Sequence, residues 1–599
     1  LEDWKGVSER VVLHVAEAET NPHDKAAFVH NLLPILQDRL FLPNTPCLVN
    51  AGKPNAQLAG CFVLPVEDSI EGIMRTASQT AKIHQSGGGT GFTFENLRPA
   101  GSLVKTTHGV ASGPVSFMQI FDKVTEVVKQ GGVRRGANMG VLSCSHPDIL
   151  RFIHEKNDPT KLTNFNISVT VTDEFMEAVR EKKLYQTMFD GKPWMEKIFD
   201  PLSGTFSHEG GKLYAPAVWD RIIESAHKNG EPGVIFIDTV NRHNLLMNSM
   251  GLITATNPCA EQALHNNNSC NLGSIDVSKF YQEWEQHAGY REQIFFNWKK
   301  FASTIYWSVR FLDNVIDACD WPLPEITDMV KRTRPVGLGV MGFADLLIKM
   351  KITYGSQESL NFLEQLMKFF QCEAWKASCS LGREKGVFPE LQYNQVAYNS
   401  FLDGLIGKNS ETLHQHPRNY EVTTIAPTGT ISLVAETSSG IEPNFAWTYT
   451  RADTVSTRQY VHPLAAAALG IEPNDPHTDF ILAMKKLPDY FVTAHDLSAE
   501  DHVRVLAAAQ KHVDNGVSKT CNGHENDTVG NVRKLYELAY ELGVKSVSYY
   551  RDGSRKNQVL NHKKTKNLSP KSCPECKAIL QGADNCDTCV ECGWGKCSI

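Results

Sequence analysis

The residues best equipped for chemistry lie in Asn257-Pro258-Cys259-Ala260-Glu261, with Ser269-Cys270-Asn271-Leu272-Gly273-Ser274 shortly after. An amide, a thiol and a carboxylate occupy alternate positions. In an extended strand or loop tip, alternate residues share a face, so all three are expected to reach one substrate. A carboxylate beside a thiol raises the thiol pKa. The neutral S–H favoured there suits hydrogen-atom transfer better than nucleophilic attack. A lone cysteine in a turn is more often a small buried residue; Asn257, Cys259, Glu261 and Cys270 together outweigh that reading. A second reactive cluster is terminal: Cys573, Cys576, Cys586, Cys589, Cys592 and Cys597. Two close pairs across a short loop fit a tetrahedral zinc ribbon, which takes four thiolates. Cys573, Cys576, Cys586 and Cys589 are assigned to zinc. Cys592 and Cys597, beside Lys596, remain as a dithiol shuttle. A ligand set using Cys589 and Cys592 satisfies the spacing equally.

These clusters sit in a chain of 599 residues, long enough for three or four domains or for one large α/β barrel with appendages. Hydrophobic content of 41% and charged content of 21% are those of a globular protein. A net charge of −7 argues against direct nucleic-acid binding and against an anionic membrane surface. The charged start Leu1-Glu2-Asp3-Trp4-Lys5 has no signal-peptide core, and no apolar run reaches the length of a membrane span. Fifteen cysteines without a leader point to a reducing, cytoplasmic setting, where cysteine clusters bind metal or carry electrons.

Several elements must position the reactive residues. Residues 1–42 are predicted as two helices broken at Asn21-Pro22, and Gln57 through Val66 as a strand with Cys61 at its start. Taken alone, Cys61 reads as a core residue. Ser86-Gly87-Gly88-Gly89-Thr90-Gly91-Phe92 is neither a dinucleotide fingerprint nor a phosphate loop of the Gly-Lys-Ser/Thr kind; it is an anion-binding turn or a plain tight turn. Gln130-Gly131-Gly132-Val133-Arg134-Arg135 is a second Gly- and Arg-rich loop. Residues 172–245 read as helix and loop around a buried strand at 233–238, and residues 281–318 and 356–384 as long helices. Around Gly337 and Gly339 the glycines let backbones pack closely. Ala426-Pro427-Thr428-Gly429-Thr430-Ile431-Ser432, after a strand at 422–425, is an ordinary capped helix start or a phosphate site. Strands alternating with helices throughout indicate an α/β fold with mostly parallel strands.

Taken together these motifs resemble those of the ribonucleotide reductases, specifically the adenosylcobalamin-dependent (class II) type. The resemblance runs from about residue 41 to 560 and includes the Cys-rich tail. Its most specific carriers are Asn257-Pro258-Cys259-Ala260-Glu261 with Cys270, Gly60-Cys61-Phe62-Val63-Leu64-Pro65 and Pro427-Thr428-Gly429-Thr430-Ile431. Gly132-Val133-Arg134-Arg135-Gly136-Ala137-Asn138 and Tyr550-Arg551-Asp552-Gly553-Ser554-Arg555 also match. The resemblance implies a ten-stranded α/β barrel of two five-stranded half-barrels, with a central finger loop carrying Cys259, plus the zinc-ribbon-like tail. The implied division is 1–42 helical, 43–560 catalytic barrel, 561–571 linker and 572–599 zinc-binding and redox tail. The implied reaction replaces the ribose 2′-OH of a ribonucleoside diphosphate with hydrogen. Homolysis of the cofactor leads to a Cys259 thiyl that takes the 3′ hydrogen.

The same resemblance gives roles to residues. Glu261 is the general base, Asn257 binds substrate hydroxyls, and Cys61 with Cys270 is the reducing dithiol. That dithiol is restored by Cys592 and Cys597 and then by a thioredoxin-like partner. Thr45, Gly60, Cys61, Gly89, Asn257, Pro258, Cys259, Ala260, Glu261, Pro427, Thr428, Gly429, Thr430 and Ile431 line the substrate site. Asp68, Ser69, Ile70, Arg98 and Lys105 match a deoxynucleoside triphosphate effector site at a homodimer interface, read out through residues 156–166. The family's ATP-binding N-terminal regulatory domain is not visible, so overall activity control by ATP and dATP either is not expected or was lost with a missing N-terminus. Tyr549-Tyr550 departs from the cobalamin pattern, which carries the second tyrosine only. The alternative is the large subunit of a metal-dependent (class I) reductase, which receives its radical from a partner subunit. A non-enzymatic zinc-ribbon nucleotide-binding module would leave Cys61, Cys270 and Glu261 unexplained. If the tail holds the metal, a chain ending before Lys571 retains zinc only at background level in elemental analysis; metal kept by that chain moves the site elsewhere.

Overall fold

A computed structural model describes residues 2–104, 108–128, 136–207, 209–282, 296–407, 416–452, 457–472 and 483–554, with three short tail stretches at 581–583, 586–588 and 595–597. Two helices come first. Trp4–Ala16 is capped by the Asp3 side chain, and Pro22–Gln37 by Asn21 with a proline in its first turn. Their apolar faces rest on Trp298–Ala318, where Phe28 stacks on Phe311 with ring centroids 6.2 Å apart. The buried Arg310 ties that helix back to Glu19 at 2.7 Å.

Ten strands form the central sheet: β1 Phe41–Pro43, β2 Cys61–Leu64, β3 Gly89–Thr93, β4 Asn138–Ser143, β5 Phe165–Val171, β6 Gly233–Phe236, β7 Asn268–Asp276, β8 Val336–Met341, β9 Thr520–Gly523 and β10 Ser546–Arg551. β2, β3, β4, β5 and β6 are neighbours in order and all parallel. β6 then meets β10 antiparallel, and β10 pairs with β9 in parallel. At the other end β2 meets β7 antiparallel, and β7 pairs with β8 in parallel and with β1 antiparallel. Two isolated parallel bridges, Leu338 with Thr423 and Ile425 with Val517, connect β8 through residues 422–425 to the chain entering β9. Thr424 N donates to Leu338 O at 2.9 Å and Ser518 N to Ile425 O at 2.8 Å. All nine residues of β7 are buried, as expected of a strand covered on both faces. Gly339 sits where β8 passes closest to this segment: a Cβ there would lie 2.3 Å from Thr424 O.

Some local expectations change. The helix expected from residue 281 begins at Trp298, because Asn297 caps it by accepting from Lys300 N, and Tyr281 bridges to Phe296 instead. Between β5 and β6 the chain forms small hairpins, Leu184–Gln186 with Lys212–Tyr214 and Phe199–Asp200 with Thr205–Phe206. Their strands are too short to leave a period in the sequence. In the tail, Gln581–Ala583, Cys586–Thr588 and Gly595–Cys597 make a three-stranded antiparallel sheet with Cys586 opposite Cys597. Cys573, Cys576, Cys589 and Cys592 lie outside the described residues, as do Lys105 and the loop from Gln130 to Arg135.

The segment carrying Cys259 is the tip of a hairpin, the loop-tip form of the expectation rather than the extended-strand form. Ala255–Thr256 pairs antiparallel with Ala263–Leu264, and Asn257 N donates to Gln262 O at 2.9 Å. The turn closes with Ala260 in the left-handed region, φ 62°. Strands from both parts of the sheet touch it. Asn166 Nδ2 on β5 donates to Pro258 O at 2.9 Å, Ser546 Oγ on β10 reaches Ala260 O at 3.5 Å, and Gly516 N donates to Glu261 O at 2.9 Å. Gly91 on β3 makes room for it, since a Cβ there would lie 1.7 Å from Thr256 O. Backbone cannot yield to a methyl group at that distance. Gly91→Ala is therefore expected to lower the unfolding free energy by about 1–3 kcal/mol and to speed amide exchange at Asn257 and Gln262. An unchanged denaturant midpoint with unchanged protection at those amides would show that β3 and the hairpin do not press on each other.

Candidate active site

A cavity of about 390 Å³ opens at the hairpin tip. Its walls include Asn257, Pro258, Cys259 and Glu261 from the hairpin, Gly60 and Cys61 from the entry to β2, and Gly89 from β3. Thr45 and Pro427, Thr428, Gly429, Thr430 and Ile431 complete it. Every residue assigned to substrate from sequence lines this space except Ala260, whose carbonyl turns to Ser546.

Cys259 is exposed, whereas Cys61 and Cys270 are buried. Asn257 braces the site twice: its Oδ1 accepts from Gln262 N at 3.0 Å, closing the turn, and its Nδ2 lies 3.0 Å from Cys61 Sγ. The Cys61 thiol points toward Glu261 Oε1, 4.0 Å away. Cys61 and Cys270 are directly opposite in the antiparallel β2–β7 ladder, a spacing of about 4.5–5.5 Å between Cα atoms that a disulfide can span. Cys270 does not line the cavity; it sits across the ladder behind Cys61. Burial, with Glu421, Cys61 and Glu261 nearby, pushes its thiol pKa well above the ordinary value, so it rests as S–H.

Two wall residues escaped the sequence assignment. Asn44 Nδ2 and Ser274 Oγ are buried and meet no hydrogen-bond partner among the described residues. Both line the cavity, so each is available to a ligand. Ser274 stands beside the motif that singled out Cys270. Asn44 carried no signal beyond capping, which it performs by accepting from Cys47 N at 3.2 Å. Gly429 and Thr430 are exposed at the start of Gly429–Ala435, and Thr428 takes a left-handed φ of 54° while its Oγ1 accepts from Gly440 N.

Of the expected effector residues, Asp68, Ser69, Ile70 and Arg98 are described. Ser69 caps Ile70–Gln85, and Arg98 Nε holds Asp68 Oδ2 at 2.8 Å. Ile70 and Met74 stand exposed on that helix. Lys156 pairs with Glu231 at 2.7 Å, and residues 156–166 lead into β5, where Asn166 touches the hairpin. The tandem tyrosines separate by strand alternation. Tyr549 is buried, donates to Asp527 Oδ2 at 2.9 Å, and is held well above the ordinary tyrosine pKa by burial and that carboxylate. Tyr550 shares its strand face with Ser546, the residue that reaches the hairpin.

Among the described residues no cluster of His, Cys, Asp and Glu could hold a metal ion, and no helix is long and apolar enough to cross a membrane.

Comparison with known proteins agrees with this geometry. The family profile described as "Ribonucleotide reductase, barrel domain" matches residues 59–550. A protein of Thermoplasma acidophilum named vitamin B12-dependent ribonucleoside-diphosphate reductase is 40% identical over 568 residues, covering 92% of this chain and 68% of its own length. A Mycobacterium tuberculosis protein of the same name is 38% identical over 566 residues, covering 92% and 74%. A Streptomyces clavuligerus protein named vitamin B12-dependent ribonucleotide reductase is 27% identical over 613 residues, covering 91% and 62%. An α/β chain with this cavity and this family match over most of its length belongs to the ribonucleotide reductase family.

Proposed function

We propose that the chain is an adenosylcobalamin-dependent ribonucleoside-diphosphate reductase, a cytoplasmic enzyme that makes 2′-deoxyribonucleotides for DNA synthesis. One observation carries the reading: Cys259, Glu261 and Cys61 face one cavity, with Cys270 directly opposite Cys61. The relatives at 40% and 38% identity bear names with this activity and cofactor.

The fold fits the same reading. The bridges at Leu338–Thr423 and Ile425–Val517 support a closed ten-stranded barrel in which residues 422–425 are a strand and β1 lies outside the ring. Each half would then hold five parallel strands. On that reading residues 43–560 form the catalytic barrel after a helical region at 1–42. A linker at 561–571 leads to the zinc and redox tail at 572–599.

The cofactor fits at one point. Of the three site thiols only Cys259 is exposed, so only its sulfur is open to a bulky partner. When bound, adenosylcobalamin supplies an abstractor of hydrogen atoms. The chain's own residues do the rest. Cys259, as a thiyl, takes the 3′ hydrogen, and Glu261 takes the 3′-OH proton. Asn257 orients the ribose hydroxyls. Cys61 or Cys270 protonates the departing 2′-OH, which leaves as water. The other thiol of the pair delivers its hydrogen to C2′ as the pair gives up two electrons and becomes a disulfide, Glu261 returns its proton to O3′, and Cys259 returns its hydrogen to C3′. The diphosphate is placed at Pro427, Thr428, Gly429, Thr430 and Ile431, which line the cavity with Gly429 and Thr430 exposed. Cys592 and Cys597 re-reduce the disulfide, a thioredoxin-like protein re-reduces them, and Cys573, Cys576, Cys586 and Cys589 hold zinc.

A deoxynucleoside triphosphate at Asp68, Ser69, Ile70, Arg98 and Lys105 would select the substrate base. Exposed Ile70 and Met74 suit a homodimer face. The contact from Asn166 to Pro258 supports a route from that site to the hairpin, with a coupling of about 1–3 kcal/mol. The class I alternative needs a two-tyrosine relay. Tyr549, buried on the face opposite Tyr550 and tied to Asp527, is poorly placed for one.

The purified chain with adenosylcobalamin and dithiothreitol should reduce a nucleoside diphosphate; inactivity there, rescued by a radical-generating subunit, would favour the alternative. Cys259→Ala should abolish turnover while equilibrium nucleotide binding persists, and retained turnover would remove the thiyl role. Cys592→Ser with Cys597→Ser should stop after about one turnover per site unless a small dithiol is supplied. Full activity of that variant with thioredoxin as sole reductant would refute the shuttle.

A further inference from the structure

The finger hairpin is held from the front by Asn257 and from the strands by its carbonyls. Its returning arm, Gln262 and Ala263, is also held by a side chain far away in sequence. Asn515 Oδ1 accepts from Ala263 N at 2.8 Å, and Asn515 Nδ2 lies 3.2 Å from both Ala263 O and Gln262 Oε1. A carboxamide thus imitates a strand neighbour, giving and taking one hydrogen bond at the same residue. The amide is itself oriented: Nδ2 also lies 2.7 Å from Glu421 Oε2. The Asn515 backbone is fixed too, N to Thr423 O at 3.1 Å, and O to Gln510 Nε2 at 2.8 Å and Lys545 Nζ at 3.1 Å. Asn515, Glu421 and Lys545 are all buried.

Packing holds only one side of the arm, where Ala263 meets Val141, Ile235 and Ile253; the other side is left to hydrogen bonds. Ala263, Asn515, Glu421 and Lys545 line a second cavity of about 460 Å³, so that side of the arm lacks a solid apolar wall. Next to the arm, Gly516 leaves no space for relaxation, since a Cβ there would lie 2.8 Å from Ala260 O. On the cavity side the arm's position is therefore decided by directed hydrogen bonds. We propose that Asn515, oriented by Glu421, is a positioning residue that fixes the height of Cys259 and Glu261 over Cys61 and the substrate. Burial and the nearby Asp514 push Glu421 up to about 8, so it is mostly neutral at pH 7 and a neutral amide can replace it.

This inference rests on the reductase reading for its kinetic arm and on geometry alone for its chemical arm. Asn515→Ala leaves the buried Ala263 N–H unpaired and should lower kcat about 100-fold, the effect of a misplacement near 1 Å. KM should change less than about threefold, because the walls at Thr45, Gly89 and Thr428 are untouched. Glu421→Gln, which keeps an oxygen for Asn515, should stay within about threefold of the parent, while Glu421→Leu should behave like Asn515→Ala. Independently of any turnover, site-resolved alkylation by iodoacetamide should modify Cys259 alone of the three site thiols in the parent. In Asn515→Ala it should modify Cys61 about tenfold faster, because Asn257 and Glu261 no longer cover it. The proposal is overturned if Asn515→Ala keeps both its kcat and an unreactive Cys61, or if Glu421→Gln is as impaired as Glu421→Leu. A parent chain inactive with adenosylcobalamin would count against the reductase reading, and the alkylation result would still decide the role of Asn515.

Discussion

The structure depends on a polar hairpin held inside a sheet-lined interior. Such a segment is stable there only if its backbone donors and acceptors find partners, because an unpaired buried group costs about 1–3 kcal/mol. The finger meets that demand from several directions: β5 through Asn166, β10 through Ser546, the loop before β9 through Gly516, and residue 424, whose Oγ1 lies 2.9 Å from Glu261 O. The glycines at 91 and 516 complete the fit by being absent side chains. The reactive thiol can be exposed at the tip because the backbone groups of Pro258, Ala260, Glu261 and Ala263 beneath it are paired.

This constraint also explains the division of labour among the cysteines. Cys259 belongs to the hairpin and stays accessible. Cys61 and Cys270 belong to strands and stay dry, where desolvation keeps Cys270 protonated. A protonated Cys270 suits the proposed sequence, in which one thiol must deliver a proton before the two share a bond. Asn257 links the sets, since its amide touches the Cys61 sulfur while its carbonyl oxygen closes the turn.

Much of this was legible in the chain, and the reasons differ by element. The helices at Trp4–Ala16 and Pro22–Gln37 announced themselves by caps and an apolar stripe. The chemistry at Asn257, Cys259 and Glu261 was readable because three reactive types in five residues are rarely structural. Of the two backbones that reading allows, extended strand or loop tip, the second is realised: a hairpin with Ala260 at positive φ brings the three residues to one cavity. Gly91 looked like part of an anion-binding turn, and its use is the close approach of Thr256. The role of Asn515 left no local trace, because it depends on Gln262 and Ala263, more than two hundred residues away in sequence; that of Asn44 depends on the cavity wall it joins. Residues 422–425 were expected as a strand, and the chain there makes isolated bridges on both sides.

The placement of Cys61 and Cys270 has one more consequence. They face each other where the two parallel arrays meet antiparallel, β2 on one side and β7 on the other. The ladder's hydrogen bonds join the arrays there with both thiols free, and a disulfide would add a covalent link at that seam. If the proposed cycle runs through these two sulfurs, each product formed adds that stitch and each reduction removes it, so the scaffold's stiffness keeps time with catalysis.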